Sequence, residues 1–443
     1  MNDVLILGAG AAGLFVALAA RARGLNVMVA DPMADRPSNF ALSGGLFPAA
    51  GSRLQRQAGV SDTPQVWLDD LRRYAPPGAV NERIAEAVAH ALPPAVDFLL
   101  DGLDAPLRFL PDVVSPGHTA CRFHSVTPAS GAAFQQWMRK ALAERAGLGI
   151  VPHRLQVQRE ADGFSGRLPD GQTIRARCLV LAGGGFGADA HRVAEHIPAM
   201  AGALNNGSTT NDGSTMALGR AWGAALWGMD GYQGQAHTNP GGATRLGMGI
   251  PSLGGILVNR RGLRFVREDL GPSALAPHVL AQPGGVALEV FDAGIEAQLG
   301  NHTAYAQARA AGCVLEAEDG ASLAVQAGVD AAGLRTTLEQ VTRWATTGAG
   351  ADPLGRARFE RVLQPPLRAS WVTGALSHTQ GGLLTDADGA VLDAADCPLP
   401  GVFAVGGTAA GLAGRGAEGY LPGNGLAQAF GLGWRVAQAL RRS

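Results

Sequence analysis

A glycine-rich turn between two apolar runs constrains this chain more than any other feature of its sequence. The first thirty-one residues, MNDVLILGAGAAGLFVALAARARGLNVMVAD, predict a strand, a tight turn, a helix and a second strand that ends at Asp31. Gly8 allows the sharp turn, Gly10 lets the backbone approach a pyrophosphate, and Gly13 lets helix and strand pack closely. The helix N-terminus would face the phosphates and Asp31 a ribose hydroxyl. The stretch predicts a dinucleotide site; the alternative is a βαβ unit that merely tolerates glycine.

Composition limits the partners that such a chain can have. Its 443 residues, 47% of them hydrophobic, suggest two domains, of which one could be split by an insertion. The charge is nearly balanced, with 36 basic and 37 acidic residues and no Lys/Arg-rich block. We therefore expect neither nucleic acid nor an anionic membrane surface as a partner. No apolar run reaches the roughly 18 residues that a membrane span needs, so a soluble cytoplasmic protein is expected.

The four cysteines lie far apart and form neither a CxxC nor a CxxCH motif. This spacing excludes attachment of c-type haem and argues against zinc or iron–sulfur ligation, so we expect no metal site. Residues 62–102 have helical periodicity, which the proline pairs Pro76-Pro77 and Pro93-Pro94 are expected to interrupt. Between about 228 and 350 the composition changes to Gly/Pro-rich loops with short helical stretches, which indicates an inserted second domain.

Six segments together carry a family resemblance. They are GAGAAG (8–13), SNFALSGG (38–45), LVLAGGGFGAD (179–189), TNDGSTMALGRAWGA (210–224), GGILVNRRGLRF (254–265) and the C-terminal run from SHTQGG to GLGWRVA (377–437). In this order, and from end to end of the chain, they resemble the fumarate reductase/succinate dehydrogenase flavoprotein superfamily. That superfamily includes 3-ketosteroid dehydrogenases and tricarballylate dehydrogenase, and this chain resembles those branches more than the true fumarate reductases.

The resemblance implies an α/β fold with a Rossmann-like FAD-binding domain of the GR2 type and an inserted α+β capping domain. The FAD-binding domain would comprise residues 1–227 and 351–443, and the capping or substrate domain residues 228–350. FAD would lie extended, with its adenosine at the N-terminal βαβ unit and its isoalloxazine near the start of the last helix. The positive end of that helix would stabilise the charge that the flavin N1/O2 edge gains on reduction.

The resemblance also implies which residues contact FAD. The family's covalently flavinylated members have a histidine at the place of Ser38, so FAD is expected to be non-covalent here. Gly407 replaces an acidic residue that is common in the family, so a ribityl contact is either absent or made elsewhere. The expected cofactor-binding residues are Gly8, Gly10, Ala11, Ala12, Gly13, Asp31, Pro32, Asn39, Ser43, Gly44, Gly45, Ala182, Gly183, Gly184, Asn211, Asp212, Gly406, Gly407, Gly423, Asn424, Gly425 and Leu426.

On the substrate side the resemblance is partial. His378 aligns with the family's histidine before a TxGG turn, and His237 resembles the histidine of its HP segment, although either could be an ordinary loop histidine. The family's two substrate arginines fall on Pro251 and Tyr420. Fumarate reduction by the usual mechanism is therefore not expected. A tyrosine before the last helix is instead similar to the ketosteroid and tricarballylate dehydrogenase branches, where it lies on the substrate side of the flavin.

These positions lead to a set of candidate catalytic residues. Tyr420 and His378 are the candidates for proton transfer, since burial and a cationic neighbour could tune either. The candidates for polarising or clamping substrate oxygen atoms are Arg415, Arg122 and His124. Arg122 and His124 form a compact polar cluster with Ser125, for which a solvated surface loop is the alternative. Two further candidates are His237 and, as an anion binder, Arg245.

The sequence thus predicts an FAD-dependent oxidoreductase that moves a hydride between flavin N5 and an activated CH–CH or C=C bond of a small carboxylic acid or ketone. Only one complete dinucleotide fingerprint is present, so we expect a separate electron carrier or oxygen as the redox partner. Two alternatives stay open. One is a flavin oxidase or dehydrogenase that acts on a C–N or C–O bond, and the other is a non-catalytic flavin-binding subunit.

Overall fold

The computed structural model describes residues 1–241, 244–247, 249–299, 302–348 and 350–441. Its contacts divide the chain into two compact units. The first unit consists of Met1–Ile197, Gly207–Gln233 and His378–Ser443, and the second of Pro198–Asn206 and Gly234–Ser377. The second unit is thus inserted into the first. Its range extends beyond the 228–350 proposed from composition, and whether it acts as a capping domain stays a prediction.

The strands range in length from two to 13 residues. They are β1 (Asn2–Leu7), β2 (Val27–Ala30), β3 (Phe47–Pro48), β4 (Leu107–Phe109), β5 (Phe123–Val126), β6 (Ile150–Val151), β7 (Gln156–Glu160), β8 (Gly163–Arg167), β9 (Thr173–Leu181), β10 (Leu204–Asn205), β11 (Leu226–Trp227), β12 (Tyr232–Thr238), β13 (Ile256–Val258), β14 (Val286–Asp292), β15 (Leu315–Ala317), β16 (Leu367–Thr379), β17 (Gly382–Leu383), β18 (Ala390–Leu392) and β19 (Pro398–Ala404).

The α-helices lie between these strands in both units. They are α1 (Ala11–Ala22), α2 (Asn39–Leu42), α3 (Arg53–Gln57), α4 (Pro64–Tyr74), α5 (Glu82–Asp97), α6 (Gly131–Glu144), α7 (Ala190–His196), α8 (Ser214–Ala221), α9 (Pro272–Leu280), α10 (Ala293–Leu299), α11 (Thr303–Ala310), α12 (Gly320–Ala327), α13 (Ala331–Thr347) and α14 (Asn424–Ala439).

The first unit is built on a largely parallel sheet. Its central order is β19-β9-β1-β2-β6, all parallel, while β18 pairs antiparallel with β19 and the β7–β8 hairpin pairs with β9. Strand β1 reads as an unbroken apolar run because it is covered on both faces, and Val4, Leu5 and Ile6 are fully buried. The predicted α/β fold with a Rossmann-like core is confirmed.

Helix α14 packs against α1 and α5 beside this sheet. The contact is aromatic: Phe430 of α14 lies edge-on to Phe15 of α1, with ring centroids 5.3 Å apart, and stacks on Phe134 of α6. Because the first helix of the chain and the last one share this core, their N-terminal ends belong to one rigid layer of the first unit. The helices expected to contact the adenosine and the isoalloxazine of FAD, α1 and α14, therefore pack against each other.

The prediction that Pro93 and Pro94 interrupt a helix is wrong. Helix α5 runs through both residues to Asp97 and continues as a π-helix over Phe98–Gly102. Proline removes the backbone hydrogen bond that its N–H would make and crowds the preceding turn, which normally breaks a helix. Here the apolar face of α5, including Val88 and Leu92, is fully buried, so tertiary packing outweighs the local preference.

The second unit has its own sheet, in the order β10-β16-β14-β13, with β12 and β15 also paired to β16. The pairs β13–β14 and β14–β16 are antiparallel, whereas β10 runs parallel to β16. Helices α9 to α13 belong to this unit. The helices alternate with the strands along the chain, and the mixed, largely antiparallel pairing of the sheet agrees with an α+β character.

The part of the chain that the structure describes holds neither a membrane-spanning helix nor a metal-binding cluster. No helix in that part of the chain combines the length and the apolar character that a membrane span requires. Nor do three or more of its histidine, cysteine and carboxylate side chains gather where they could hold a metal ion.

Candidate FAD and substrate site

The glycine turn between β1 and α1 has two packed positions and one open position. Gly8 has φ +112°, and a Cβ atom there would lie 2.4 Å from the carbonyl oxygen of Ala182. A Cβ atom at Gly13 would lie 2.0 Å from the carbonyl oxygen of Gly8. At Gly10, by contrast, a Cβ atom would meet no described atom within 4 Å. Close packing therefore excludes a side chain at Gly8 and at Gly13, whereas Gly10 leaves open space in front of the helix.

The N-terminus of α1 is free to bind an anion. Gly10 is its N-cap, no side chain caps the helix, and its first turn carries no acidic residue. The Asp31 carboxylate instead accepts hydrogen bonds from the N–H groups of Ala9 (2.8 Å) and Met33 (2.9 Å). Asp31 thus ties the glycine turn to the end of β2. Each carboxylate oxygen keeps a further lone pair, and the contact to a ribose hydroxyl stays a prediction.

Two later glycine segments meet through their backbones. A Cβ atom at Gly184 would lie 2.0 Å from Oδ1 of Asn211, and one at Gly407 would lie 2.8 Å from the backbone nitrogen of Gly185. The Thr408 hydroxyl donates to the carbonyl oxygen of Gly184 at 3.0 Å. The absence of an acidic residue at 407 therefore has a physical reason, because the neighbouring backbone leaves no room for a side chain.

The other predicted cofactor residues lie on loops that are fixed by hydrogen bonds. Oδ1 of Asn39 accepts from the N–H of Ser208 at 2.5 Å, and Oγ of Ser43 accepts from the N–H of Gly45 at 3.1 Å. For Asp212, burial would raise the pKa, but hydrogen bonds from Ser214 and Arg154 lower it overall. The Asp212 carboxylate is thus already engaged by protein groups, and its contact to FAD stays a prediction.

The start of α14 offers unpaired polar groups. Its N-cap is Gly423, at φ +89°, and again no side chain caps the helix. Asn424 is fully buried, yet neither Nδ2 nor Oδ1 of its amide has a hydrogen-bond partner among the described residues. A buried amide without partners costs free energy, so this one points to a bound polar group. Together with the space at Gly10 and the two uncapped helix ends, it fits FAD.

His378 and Tyr420 lie together at this end of α14. Their ring centroids are 5.0 Å apart at an interplanar angle of 79°, and a Cβ atom at Gly425 would lie 3.6 Å from Nε2 of His378. Nδ1 of His378 lies 3.0 Å from the side-chain amide nitrogen of Gln380 and 3.3 Å from the carbonyl oxygen of Thr379. The amide contact is the shorter of the two, and it requires Nδ1 to accept, which favours the proton of the neutral ring on Nε2. The structure thus brings together the two residues that the sequence proposed for proton transfer.

Both side chains are neutral near pH 7. Burial lowers the pKa of His378 to about 4. Burial also raises the pKa of Tyr420 to about 12, although the N–H of Gly423 acts in the opposite direction. The pair can therefore donate hydrogen bonds to a neutral oxygen, and neither member carries a charge for an anion.

Arg415 lies elsewhere on the first unit. It is exposed, has φ +61°, and donates from Nη1 to the carbonyl oxygen of Pro77 at 2.9 Å. Its backbone N–H is directed to the carboxylate of Asp230 at 3.3 Å. These contacts hold Arg415 on a surface loop, and they give no support to the hypothesis that it polarises a substrate oxygen.

Arg122 is fully buried inside an ion-pair network. Its Nε lies 2.9 Å from the carboxylate of Asp62 and its Nη1 2.5 Å from that of Asp70. Nη1 also lies 3.1 Å from Nδ1 of His118. Most of the guanidinium donors are thereby used within the protein. The hypothesis that Arg122 clamps the substrate finds no support in these contacts, which instead give it a structural role.

His124 is likewise part of the core. Its Nε2 lies 2.8 Å from the Ser52 hydroxyl and its Nδ1 3.0 Å from the carbonyl oxygen of Arg122. Its ring packs against Phe47 and Phe109, and burial lowers its pKa to about 4. Neither ring nitrogen is available to a substrate, so the proposed polarising role of His124 is not supported. The nearby Ser125 is also buried.

In the second unit, His237 pairs with a residue that the sequence did not single out. Its Nδ1 lies 3.0 Å from Oε1 of Glu289, and both side chains are buried. Glu289 lies on the central strand β14 and His237 on β12. The contact lacks hydrogen-bond geometry, so the two buried side chains are close without being hydrogen-bonded to each other. Nothing in the sequence near His237 could have indicated this partner, because fifty residues separate the two.

Arg245, also in the second unit, has no carboxylate partner among the described residues. It forms a β-bridge with Thr238, and its Nη2 donates to the carbonyl oxygen of Asn206 at 3.2 Å. Burial lowers its pKa, whereas hydrogen bonds and charges of Glu268 and Asp352 raise the pKa of Arg264 in the same unit. A partly buried guanidinium without a carboxylate keeps Arg245 a candidate for binding an anionic group.

Comparisons with known proteins agree with this geometry. A family model described as "FAD binding domain" matches residues 3–426. A protein described as a probable fumarate reductase, Ifc3, of Shewanella frigidimarina (strain NCIMB 400) is 26% identical over 429 residues, which cover 93% of this chain and 71% of that protein. The 4-oxocyclohexanecarboxylate 2-dehydrogenase of Sinomonas cyclohexanicum is also 26% identical, with 96% of this chain and 92% of that protein covered.

The fold has a clear structural neighbour. The open conformation of a flavocytochrome c3 fumarate reductase superposes with a TM-score of 0.84 at 24% identity, and the match covers 98% of this chain and 77% of that one. The similarity of these folds supports the α/β architecture described above.

Gly13 and Gly10 of the first turn should respond differently to a methyl group. We expect Gly13→Ala to lower the free energy of unfolding of the apoprotein by about 1–3 kcal/mol or more, because its Cβ would overlap the Gly8 carbonyl. Gly10→Ala should leave that free energy nearly unchanged but weaken FAD binding about 10-fold, since its Cβ enters the space before α1. Urea unfolding and FAD titration measure the two effects. Equal loss of stability in both variants would contradict this interpretation.

His124 should make stability depend on pH. Its folded pKa of about 4 lies below the ordinary 6.5, so between these values the unfolded chain binds a proton that the folded chain does not. Stability should therefore fall as the pH decreases from 6.5 towards 4. His124→Gln should reduce the slope by about 1.4 kcal/mol per pH unit. Chemical unfolding at pH 5 and pH 7 measures it, and an unchanged slope would argue against a neutral buried His124.

Proposed function

This chain belongs to the FAD-binding family that includes fumarate reductase flavoproteins, and we propose that it oxidises or reduces the carbon–carbon bond beside a ketone carbonyl. The observation that supports a ketone is the neutral pair Tyr420 and His378 at the start of α14. Two uncharged donors suit a carbonyl oxygen, whereas a dicarboxylate such as fumarate calls for cationic partners. The similarity to a 4-oxocyclohexanecarboxylate dehydrogenase supports the same substrate class.

FAD, when bound, supplies the acceptor or donor of the hydride at the carbon β to the carbonyl. The chain would hold it non-covalently through the turn at Gly8–Gly13, the backbone segments at 182–185 and 406–408, and the buried amide of Asn424. Ser38 stands where covalent members of the family have histidine. Its hydroxyl is an N-cap that accepts from the N–H of Ala41, which is a structural use.

The proton at the α carbon is assigned to Tyr420. In the direction of reduction its hydroxyl gives a proton to the α carbon, and in the direction of oxidation the phenolate takes that proton up. The N–H on Nε2 of His378 orients and polarises the carbonyl oxygen meanwhile. Because the pKa of Tyr420 is about 12, the phenolate is scarce at neutral pH. Dehydrogenation should then speed up as the pH rises.

Arg245, in the second unit, stays a candidate for binding an anionic group. This guanidinium is partly buried and makes its hydrogen bond to a backbone carbonyl rather than to an acid. A cation that is desolvated without a counter-ion gains more than an exposed one from an incoming anion.

The redox partner is proposed to be a separate electron carrier or oxygen. A flavin enzyme that acts on a C–N or C–O bond and a non-catalytic flavin-binding subunit are the alternatives. Anaerobic mixing with oxo acids, ketones, amines and alcohols separates them by which class bleaches the flavin band. Admission of air then distinguishes an oxidase, which is reoxidised quickly with release of peroxide.

Substitutions at the neutral pair test the proposal directly. We expect Tyr420→Phe to lower kcat for dehydrogenation of 4-oxocyclohexanecarboxylate by about 100-fold and to abolish the rise with pH, because the proton acceptor is lost. His378→Ala should lower it about 10-fold and leave the pH profile in place. Both proteins must still hold FAD, as judged by their visible spectra. If the FAD-loaded variants turn over at the rate of the unaltered enzyme, the assignment is wrong.

A further inference from the structure

His118 connects a buried charge cluster to the turn that precedes α14. Its Nδ1 lies 3.1 Å from Nη1 of Arg122, and its Nε2 lies 2.9 Å from the carbonyl oxygen of Pro422. A guanidinium can only donate hydrogen bonds, so Nδ1 must be the acceptor. The proton of the ring is therefore on Nε2, where it is donated to Pro422. This arrangement fixes one tautomer of a neutral histidine.

The charges behind His118 hold it in place. Arg122 is fully buried and is itself neutralised by the carboxylates of Asp62 and Asp70, the second of which also accepts from Arg73. The groups that bear on the titration of His118 are Arg122, Asp70 and Asp62. Burial and the facing guanidinium both disfavour a protonated ring, and burial is the larger effect, so the pKa is about 4. His118 thus remains a donor to Pro422 at every pH where the enzyme would work.

The turn that His118 reaches is closely packed. The His118 ring lies edge-on to Phe123, with centroids 5.0 Å apart. Phe123 in turn borders Gly423, where a Cβ atom would lie 2.9 Å from the Phe123 ring and 2.7 Å from Pro48. The peptide between Pro422 and Gly423 therefore has little freedom to rotate, and the hydrogen bond from His118 selects its orientation.

The orientation of this peptide matters because a trans peptide is planar. When the carbonyl of Pro422 points to His118, the N–H of Gly423 must point the opposite way. Tyr420 stands two residues before Pro422 in the same turn, and the Gly423 N–H lowers the pKa of its hydroxyl against the larger, opposite effect of burial. The other titratable groups that face Tyr420 are Tyr74 and His378, neither of which carries a charge near pH 7.

We propose that His118 is a positioning residue, which fixes the Pro422–Gly423 peptide and so holds Tyr420 ready for proton transfer. The inference rests on the proposed function, in which Tyr420 exchanges the α proton. The contact between His118 and Pro422 could not be recognised in the sequence, because 304 positions separate the two residues. The network also explains why Arg122 is buried without contacting a substrate.

The test compares two substitutions of His118 in the FAD-loaded enzyme. His118→Phe keeps the volume but removes both hydrogen bonds, whereas the amide of His118→Gln can still accept from Arg122 and donate to Pro422. For dehydrogenation of 4-oxocyclohexanecarboxylate, His118→Phe should lower kcat about 10-fold, with KM within about 2-fold. The pH at which kcat rises should increase by about one unit. His118→Gln should restore kcat and the pH profile to within about 2-fold of the unaltered enzyme.

A double substitution separates positioning from a general structural effect. In the Tyr420→Phe background, adding His118→Phe should lower kcat by a further factor of less than about 2, because the hydroxyl that His118 positions is absent. If His118→Phe does not retain FAD, His118→Asn, whose amide is too short to reach both partners, replaces it in the comparison. An unchanged kcat and pH profile in the FAD-loaded variant, or full additivity with Tyr420→Phe, would overturn the inference.

The outcome also distinguishes this inference from the proposed function. If Tyr420→Phe is as active as the unaltered enzyme, the function assigned to Tyr420 fails and the positioning role fails with it. If Tyr420→Phe is impaired while His118→Phe keeps the kcat and pH profile of the unaltered enzyme, the proposed function stands and the positioning role alone is wrong.

Discussion

Direct contact between backbone segments is the constraint on which the first unit depends. The turn at Gly8 lies against Ala182, and the segment at Gly184–Gly185 lies against Gly407. Because no side chains separate these segments, the loops that follow β1, β9 and β19 lie in direct backbone contact. The free termini of α1 and α14 both open onto this framework, and the shared core of Phe15 and Phe430 keeps them in one layer. The capacity to hold an extended dinucleotide is thus a property of the backbone more than of particular side chains.

The fold could be predicted from the sequence where local pattern and global packing agree. The run from β1 through α1 to β2, with glycines at fixed offsets, has one compact solution, and the C-terminal helix begins at Asn424 as expected. The pattern failed at Pro93-Pro94, where burial of α5 outweighs the local preference of proline. It also gave different limits for the second unit, because the contacts that hold residues 351–377 there are long-range pairings of β16, which composition does not reveal.

The candidate site was predictable in part. Tyr420 and His378 were chosen from short motifs, and they lie with their rings in contact. Arg122 and His124 were chosen because polar residues are clustered in the sequence, yet a sequence does not show that Asp62 and Asp70 neutralise the arginine inside the protein. Gln380 and His118 were missed for a related reason. Their roles are set by hydrogen bonds to groups that come near only when the chain is folded, and neither has a motif of its own.

The contact between Gly185 and Gly407 also limits how this enzyme could change. An acidic side chain at 407, as is common in the family, has no space while the backbone of 184–185 stays where it is. A carboxylate at position 407 would require the loop after β9 to move, and this loop lies against Asn211 and Thr408. Such a change requires several coordinated substitutions, each of them harmful alone. The close backbone contact therefore makes residue 407 hard to change by one substitution at a time.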